Sequence, residues 1–248
     1  MKKYQAILFD LFGTVALFDR EQLPLFEWNG KTIRSTMGRL RLIYEEKALK
    51  VPFERFFSAL SDVSEELTDE RTRSLREFSS VHRFTQTLLR AGFSASPETD
   101  SLAKQLSLAH MEVLTRATAV PEEHGNFLSQ VRKSYAVALV SNFDHGPTAR
   151  KVLHRGRVEA HFQHVVVSDE HGWRKPHPKI FSDTLSALDV KSDVALFVGD
   201  SPQDDIVGAK AVGMDVAWVN AQATELPDGV PAPDYVVSAI PDLRKILF

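Results

Sequence analysis

The chain of 248 residues carries 30 Lys and Arg against 33 Asp and Glu, a net charge of −3, with 43% hydrophobic residues and a mean hydropathy of −0.18. This is the composition of a folded globular protein with enough apolar material for one large core or a core plus a smaller domain. It lacks the basic excess that neutralising a phosphate backbone requires, so no nucleic-acid partner is expected. The absence of cysteine excludes disulfides, thiolate zinc sites, iron–sulfur clusters and a Cys nucleophile.

The opening MKKYQAILFDLFG holds an apolar run that is short and interrupted by Asp10, which does not suit a secretory leader. No stretch approaches the roughly 18–20 apolar residues of a membrane span. A cytoplasmic protein that binds no membrane is expected. Ala6–Phe9 reads as a strand. From about Ala16 to Thr118 no strand is expected, and apolar residues at three- and four-residue spacing predict helices over Ile33–Leu49, Phe53–Leu67, Thr72–Ala91 and Ser96–Arg116. Gly92 suits the end of the third, and Pro97 the first turn of the fourth. Strands follow at Tyr135–Val140, Val165–Val167, Val194–Val198, Val216–Val219 and Tyr235–Val237. Between them, helices are predicted at Gly146–Arg155, Lys179–Leu188 and Asp204–Val212, with a Pro-rich loop at Pro227–Pro233. Short continuous apolar runs are strands buried on both faces, and their alternation with helices predicts a doubly wound parallel sheet of α/β class. The sheet domain is expected to comprise residues 1–15 and 119–248, with an inserted α-helical domain at 16–118.

Ligands of an open parallel sheet bind beyond the carboxyl ends of its strands. Asp10, Ser141-Asn142, and Asp200 with Asp204 and Asp205 all fall there, joined by Lys175 after the third core strand. Carboxylates gathered together repel unless a cation neutralises them, and an all-oxygen site of few protein ligands suits Mg2+. A carboxylate can also attack phosphorus, aided by a metal, a lysine and hydrogen-bond donors to the non-bridging oxygens. Asp10 fits the nucleophile, Ser141 and Asn142 the grip on phosphate, Lys175 charge relief, and Asp200 and Asp205 the metal. Gly13-Thr14 permit a tight turn after Asp10, with Thr14 an expected substrate-binding residue. Singly, each of these residues also suits a turn, a helix cap or a solvated loop; their joint occurrence at strand ends favours chemistry.

Asp10-Leu11-Phe12-Gly13-Thr14, Ser141-Asn142, Lys175-Pro176-His177-Pro178 and Gly199-Asp200-Ser201-Pro202-Gln203-Asp204-Asp205 resemble the four motifs of the haloacid dehalogenase superfamily. The helical insertion falls where that family places its C1 cap. The resemblance implies a Rossmann-like core, a mobile cap and an aspartyl-enzyme intermediate. It also implies a magnesium site formed by Asp10, the Phe12 carbonyl and Asp200, with Asp205 as a ligand or close partner. Phosphatases of the family usually carry a second Asp two residues after the nucleophile as general acid; here that position is Phe12, as in the dehalogenases. Asp200, by contrast, is a metal carboxylate that the metal-independent dehalogenases lack.

These features lead to a magnesium-dependent phosphatase acting on a small phosphorylated metabolite, whose leaving group is good or whose proton comes from Asp19, Asp144, His145 or a cap residue. A 2-haloacid dehalogenase using an Asp10 ester, and a non-catalytic binding protein, are the alternatives. A small anionic substrate is expected to meet Arg39 and Arg41, with Arg34 nearby on the same predicted helix. The protein is expected to be a monomer or a homodimer.

Overall fold

A computed structural model of the chain describes residues 4–47 and 49–248. Lys2 and Lys3 of the opening segment, and Ala48 within the first predicted insertion helix, lie outside the described residues. The chain forms two units, one running to Phe18 and resuming at Ala119, the other Asp19–Thr118.

The first unit is built on six strands: β1 (Ala6–Phe9), β2 (Ala136–Ser141), β3 (His164–Val167), β4 (Ala195–Gly199), β5 (Asp215–Val219) and β6 (Tyr235–Val237). Their order is β6-β5-β4-β1-β2-β3, with every neighbouring pair parallel. The register places Phe9 beside Leu139 on one side and Val198 on the other. β1, central and wholly buried, therefore delivers Asp10 to the middle of the sheet's carboxyl edge. Side chains alternate between two apolar layers. Ile7, Phe9, Val137, Leu139, Leu196 and Val198 join one, and Ala6, Leu8, Ala138, Val140, Ala195 and Phe197 the other. Burial on both faces explains why these strands read as continuous apolar runs. The predicted strands agree with the observed ones to within a residue at each end.

In the second unit the expectation of helices alone is corrected. Leu25–Trp28 and Lys31–Arg34 form an antiparallel hairpin, and Leu17–Phe18 and Thr118–Ala119 are short extended pieces where the chain leaves and returns. The hairpin turns at Asn29-Gly30, with φ of 49° and 72°, the left-handed pair that a two-residue type I′ turn requires. The first insertion helix, α1, consequently begins at Met37 and ends at Glu46. α2 runs Phe53–Ser74 and α3 Ser80–Ala91, so the predicted helix Thr72–Ala91 is split. The break is built by Leu75 in the left-handed region at φ 54° and by Arg71, which donates to Glu77 at 2.7 Å and to the Phe78 carbonyl at 2.6 Å. α4 spans Pro97–Arg116, opened by the Ser96 side chain accepting the Thr99 N–H.

Candidate active site

Three of the chemical residues are placed by a strand that ends on or just before them. Asp10 follows β1, Ser141 closes β2, and Asp200 follows β4. Beyond Asp200 the chain makes a wide π turn at Pro202–Ile206 before a short helix, Val207–Ala211, in place of the single helix predicted over Asp204–Val212. The turn is set by Ser201, whose hydroxyl accepts the Asp204 N–H at 3.2 Å and whose own N–H donates to Asp205 Oδ2 at 2.9 Å. Asp205 is thereby turned inward and fully buried.

Lys175 Nζ lies 2.6 Å from Asp10 Oδ1 and 2.7 Å from Asp205 Oδ1, with its side chain only 2% exposed. Oxygens of Asp10, Asp200 and Asp205 lie within 4.8 Å of one another. These residues line a cavity of about 210 Å3 together with Phe12, Asn142, Ser201 and Asp204. Burial pushes the Asp10 carboxyl up to about 7; the Lys175 charge opposes this, and Asp205 and Asp200 add to it. Asp200 rises to about 6, again by burial and then by the charge of Asp205, and Asp204 is raised for the same reasons. Burial alone would lower Lys175, but the charges of Asp10 and Asp205 outweigh it and hold it above its ordinary value.

One lysine among these carboxylates leaves the cluster net negative, which a divalent cation would correct. The oxygen-only donor set is that of a hard ion. The loop also leaves room for a close approach: Gly13 has φ 86°, and a Cβ there would overlap the Asp200 carboxylate. The Ser141 hydroxyl is buried without a hydrogen-bond partner, and the Thr14 hydroxyl is buried beside the Asp200 carboxylate; both are donors that an anionic ligand could use. Asp10, Asp200 and Asp205 therefore fit a cation, and Ser141 and Thr14 fit the oxygens of a substrate.

Other expected residues are occupied differently. Asn142 spends both ends of its side-chain amide on the main chain of Lys175, accepting from the N–H at 2.7 Å and donating to the carbonyl at 2.9 Å. Phe12 stacks obliquely on Phe143, with ring centroids 4.6 Å apart. Of the expected proton donors, Asp19 accepts the Glu21 N–H at 2.9 Å. His145 Nδ1 accepts the Thr148 N–H at 3.3 Å at the start of the helix Gly146–Arg155. In the insertion, Arg41 pairs with Glu45 at 3.0 Å and lies over the Phe53 ring. Arg39 is exposed on the same helix, and Arg34, which the structure moves from the predicted helix to the hairpin, pairs with Glu21.

Several supports have no signature in the sequence. The Trp218 indole N–H donates to the Asp200 carbonyl at 3.0 Å, and His124 donates from Nδ1 to the Val15 carbonyl at 3.1 Å, steadying the loop that follows Asp10. Ser168 Oγ accepts the Phe143 N–H at 2.9 Å, and Asp169 accepts from Gly146 at 2.9 Å, so the segment after β3 holds the loop after β2.

The sequence pattern of the haloacid dehalogenase-like hydrolases matches residues 42–219. Glyceraldehyde 3-phosphate phosphatase of Pyrococcus furiosus is 34% identical over 140 residues, 56% of this chain and 58% of that protein, so the match spans little over half the relative's length. Haloacid dehalogenase-like hydrolase domain-containing protein 3 of Bos taurus is 29% identical across 88% of this chain and 92% of its own. Among solved structures, a 2-haloacid dehalogenase from Pseudomonas syringae superposes with a TM-score of 0.75 at 22% identity, covering 98% of each chain; this likeness is one of fold. Among the described residues no helix is long and apolar enough to cross a membrane.

Proposed function

The chain belongs to the haloacid dehalogenase-like hydrolase family, and on that premise we propose that it is a magnesium-dependent phosphohydrolase acting on a small, soluble phosphorylated metabolite through Asp10. The observation that carries this reading is the cluster of Asp10, Asp200 and Asp205 around one buried lysine. Displacement of halide from carbon needs a single nucleophilic carboxylate; a second and third carboxylate converging on it serve a cation. A relative named as a phosphatase agrees with it.

In this mechanism Lys175 holds Asp10 through Oδ1, which leaves Oδ2 to attack phosphorus. The bond from phosphorus to the leaving oxygen breaks as the aspartyl-phosphate forms, and water then cleaves that intermediate at phosphorus. The Ser141 and Thr14 hydroxyls, with main-chain amides of the loop after Asp10, donate to the non-bridging oxygens. Lys175 also offsets charge that builds on them. Asp10, the Phe12 carbonyl, Asp200 and Asp205 would hold the magnesium ion, which supplies electrostatic stabilisation of the transferring phosphoryl group. Arg39 and Arg41 are proposed to meet the anionic remainder of the substrate.

Phe12 bears on the substrate class. Its ring, packed on Phe143, can transfer no proton, which favours a leaving group that departs as a stable anion, as an acyl phosphate allows, over one that borrows its proton from another residue. The same pair of rings favours a second reading, a 2-haloacid dehalogenase, because halide also leaves unprotonated.

Phosphate release from acetyl phosphate and from an alkyl phosphate, each with magnesium or with EDTA, separates the readings. Magnesium-dependent turnover of acetyl phosphate that disappears in Asp10→Asn supports the proposal. Chloride release from 2-chloropropionate in EDTA, with neither acetyl phosphate nor the alkyl phosphate cleaved, replaces it with the dehalogenase reading.

A further inference from the structure

Among the described residues lining the cavity Lys175 is the one cation, yet it stands on main chain that no helix or strand fixes. Arg174–His177 is irregular, with a turn bond from the His177 N–H to the Arg174 carbonyl at 2.9 Å. A flexible four-carbon stem places its ammonium only as well as the backbone beneath it is placed. Asn142 supplies what that backbone lacks. It sits immediately beyond β2, an anchored central strand, and its carboxamide meets Lys175 as a neighbouring strand would. Oδ1 accepts the Lys175 N–H at 2.7 Å and Nδ2 donates to the Lys175 carbonyl at 2.9 Å, across 33 residues of sequence. Among small side chains only a carboxamide offers an acceptor and a donor side by side; aspartate would keep the first contact and set its charge against the carbonyl.

We propose that Asn142 is a positioning residue: a main-chain clamp that sets where the Lys175 ammonium lies between Asp10 and Asp205, not a direct ligand of the substrate. Its consequence for turnover rests on the Asp10 reaction proposed above; the clamp itself does not. Asn142 and Asp204 of the π turn line the same cavity.

The first readout is independent of activity. The full chain is treated with limiting acetic anhydride, and labelling is followed by mass spectrometry at Lys175, with the exposed Lys151, Lys179 and Lys191 as references. Wild type protects Lys175, which is 2% exposed. Asn142→Ala raises labelling at Lys175 by about tenfold or more while the reference lysines keep their rates, the mark of a local opening rather than unfolding. Asn142→Asp, which keeps one contact, shows a smaller rise and carries the test if the alanine variant does not fold. The second readout is kinetic: with acetyl phosphate and magnesium, Asn142→Ala lowers kcat by about 10²-fold and moves KM by less than about threefold. Protection of Lys175 that persists in both variants overturns the clamp, and a raised KM with kcat unchanged returns Asn142 to the substrate. Should wild type hydrolyse neither acetyl phosphate nor an alkyl phosphate, the labelling alone decides the clamp, and the phosphatase reading fails separately.

Discussion

Replacing Lys175 by Met tests how the buried cluster is held together. The ammonium lies 2.6 Å from Asp10 and 2.7 Å from Asp205, and the three side chains are at most 9% exposed. Methionine nearly conserves the volume and removes the charge with its hydrogen bonds, leaving no cation among the described residues lining the cavity. Removing one partner of a buried ion pair costs about 3–5 kcal/mol, because the remaining charge stays desolvated. For a chain of this size that is a fall in Tm on the order of 10 °C. The loss must also depend on pH. Asp10 already titrates near 7 in the folded state, above its ordinary 3.8, so between about pH 4 and 7 the folded chain holds a proton that the unfolded chain has released. Stability therefore falls as pH rises through that window. Without Lys175, the chief influence lowering Asp10 is gone and the window extends upward, so the variant suffers most above pH 7 and recovers on acidification. Thermal unfolding of both proteins in EDTA, from pH 5 to 8.5, measures this. A gap between wild type and variant that widens from pH 5 to 8 is expected; a gap that is small at pH 8, or constant with pH, would refute the reasoning.

Other perturbations separate site from scaffold. Phe12→Asp, by returning a carboxyl to the cavity, raises alkyl phosphate turnover by about 10²-fold and leaves acetyl phosphate turnover unchanged, measured as phosphate release. Asp200→Asn raises the magnesium concentration for half-maximal activity by at least about tenfold, read from a metal titration, with little change in Tm. Gly30→Ala lowers stability by about 1 kcal/mol in a urea unfolding series, from backbone conformation alone, since nothing lies within 4 Å of the added Cβ.

Most of the core was legible because its physics is local. A strand buried on both faces must be apolar, and β1, β4 and the buried stretches Val137–Val140 of β2 and Val216–Val219 of β5 are; a polar residue at or just beyond the end of each then falls on the ligand-binding edge. Asp10, Ser141 and Asp200 could be read for that reason, and Lys175 and Asp205 from their place in the segments that follow β3 and β4. The hairpin at Leu25–Arg34 was missed although Asn29-Gly30 announced its turn, because the exposed Leu25, Glu27, Lys31 and Thr32 blur the alternation of strands that are only four residues long. The corner between α2 and α3 has no sequence punctuation, since the left-handed residue is Leu75 rather than glycine and the bend is held by Arg71 and Glu77. The role proposed for Asn142 was hidden for a different reason. Its partners are main-chain atoms of a distant residue, and every amino acid offers those.

Single turnover of acetyl phosphate in 18O-labelled water, with enzyme in excess and magnesium present, tests the role of Asp10 most directly. Mass spectrometry reads both the released phosphate and the peptide containing Asp10. The proposed mechanism predicts a phosphoryl group on Asp10 in the acid-quenched sample, label in the released phosphate, and none in the Asp10 carboxylate, because water attacks phosphorus. Label incorporated into the Asp10 carboxylate, or phosphate released with Asp10 never modified, would contradict it.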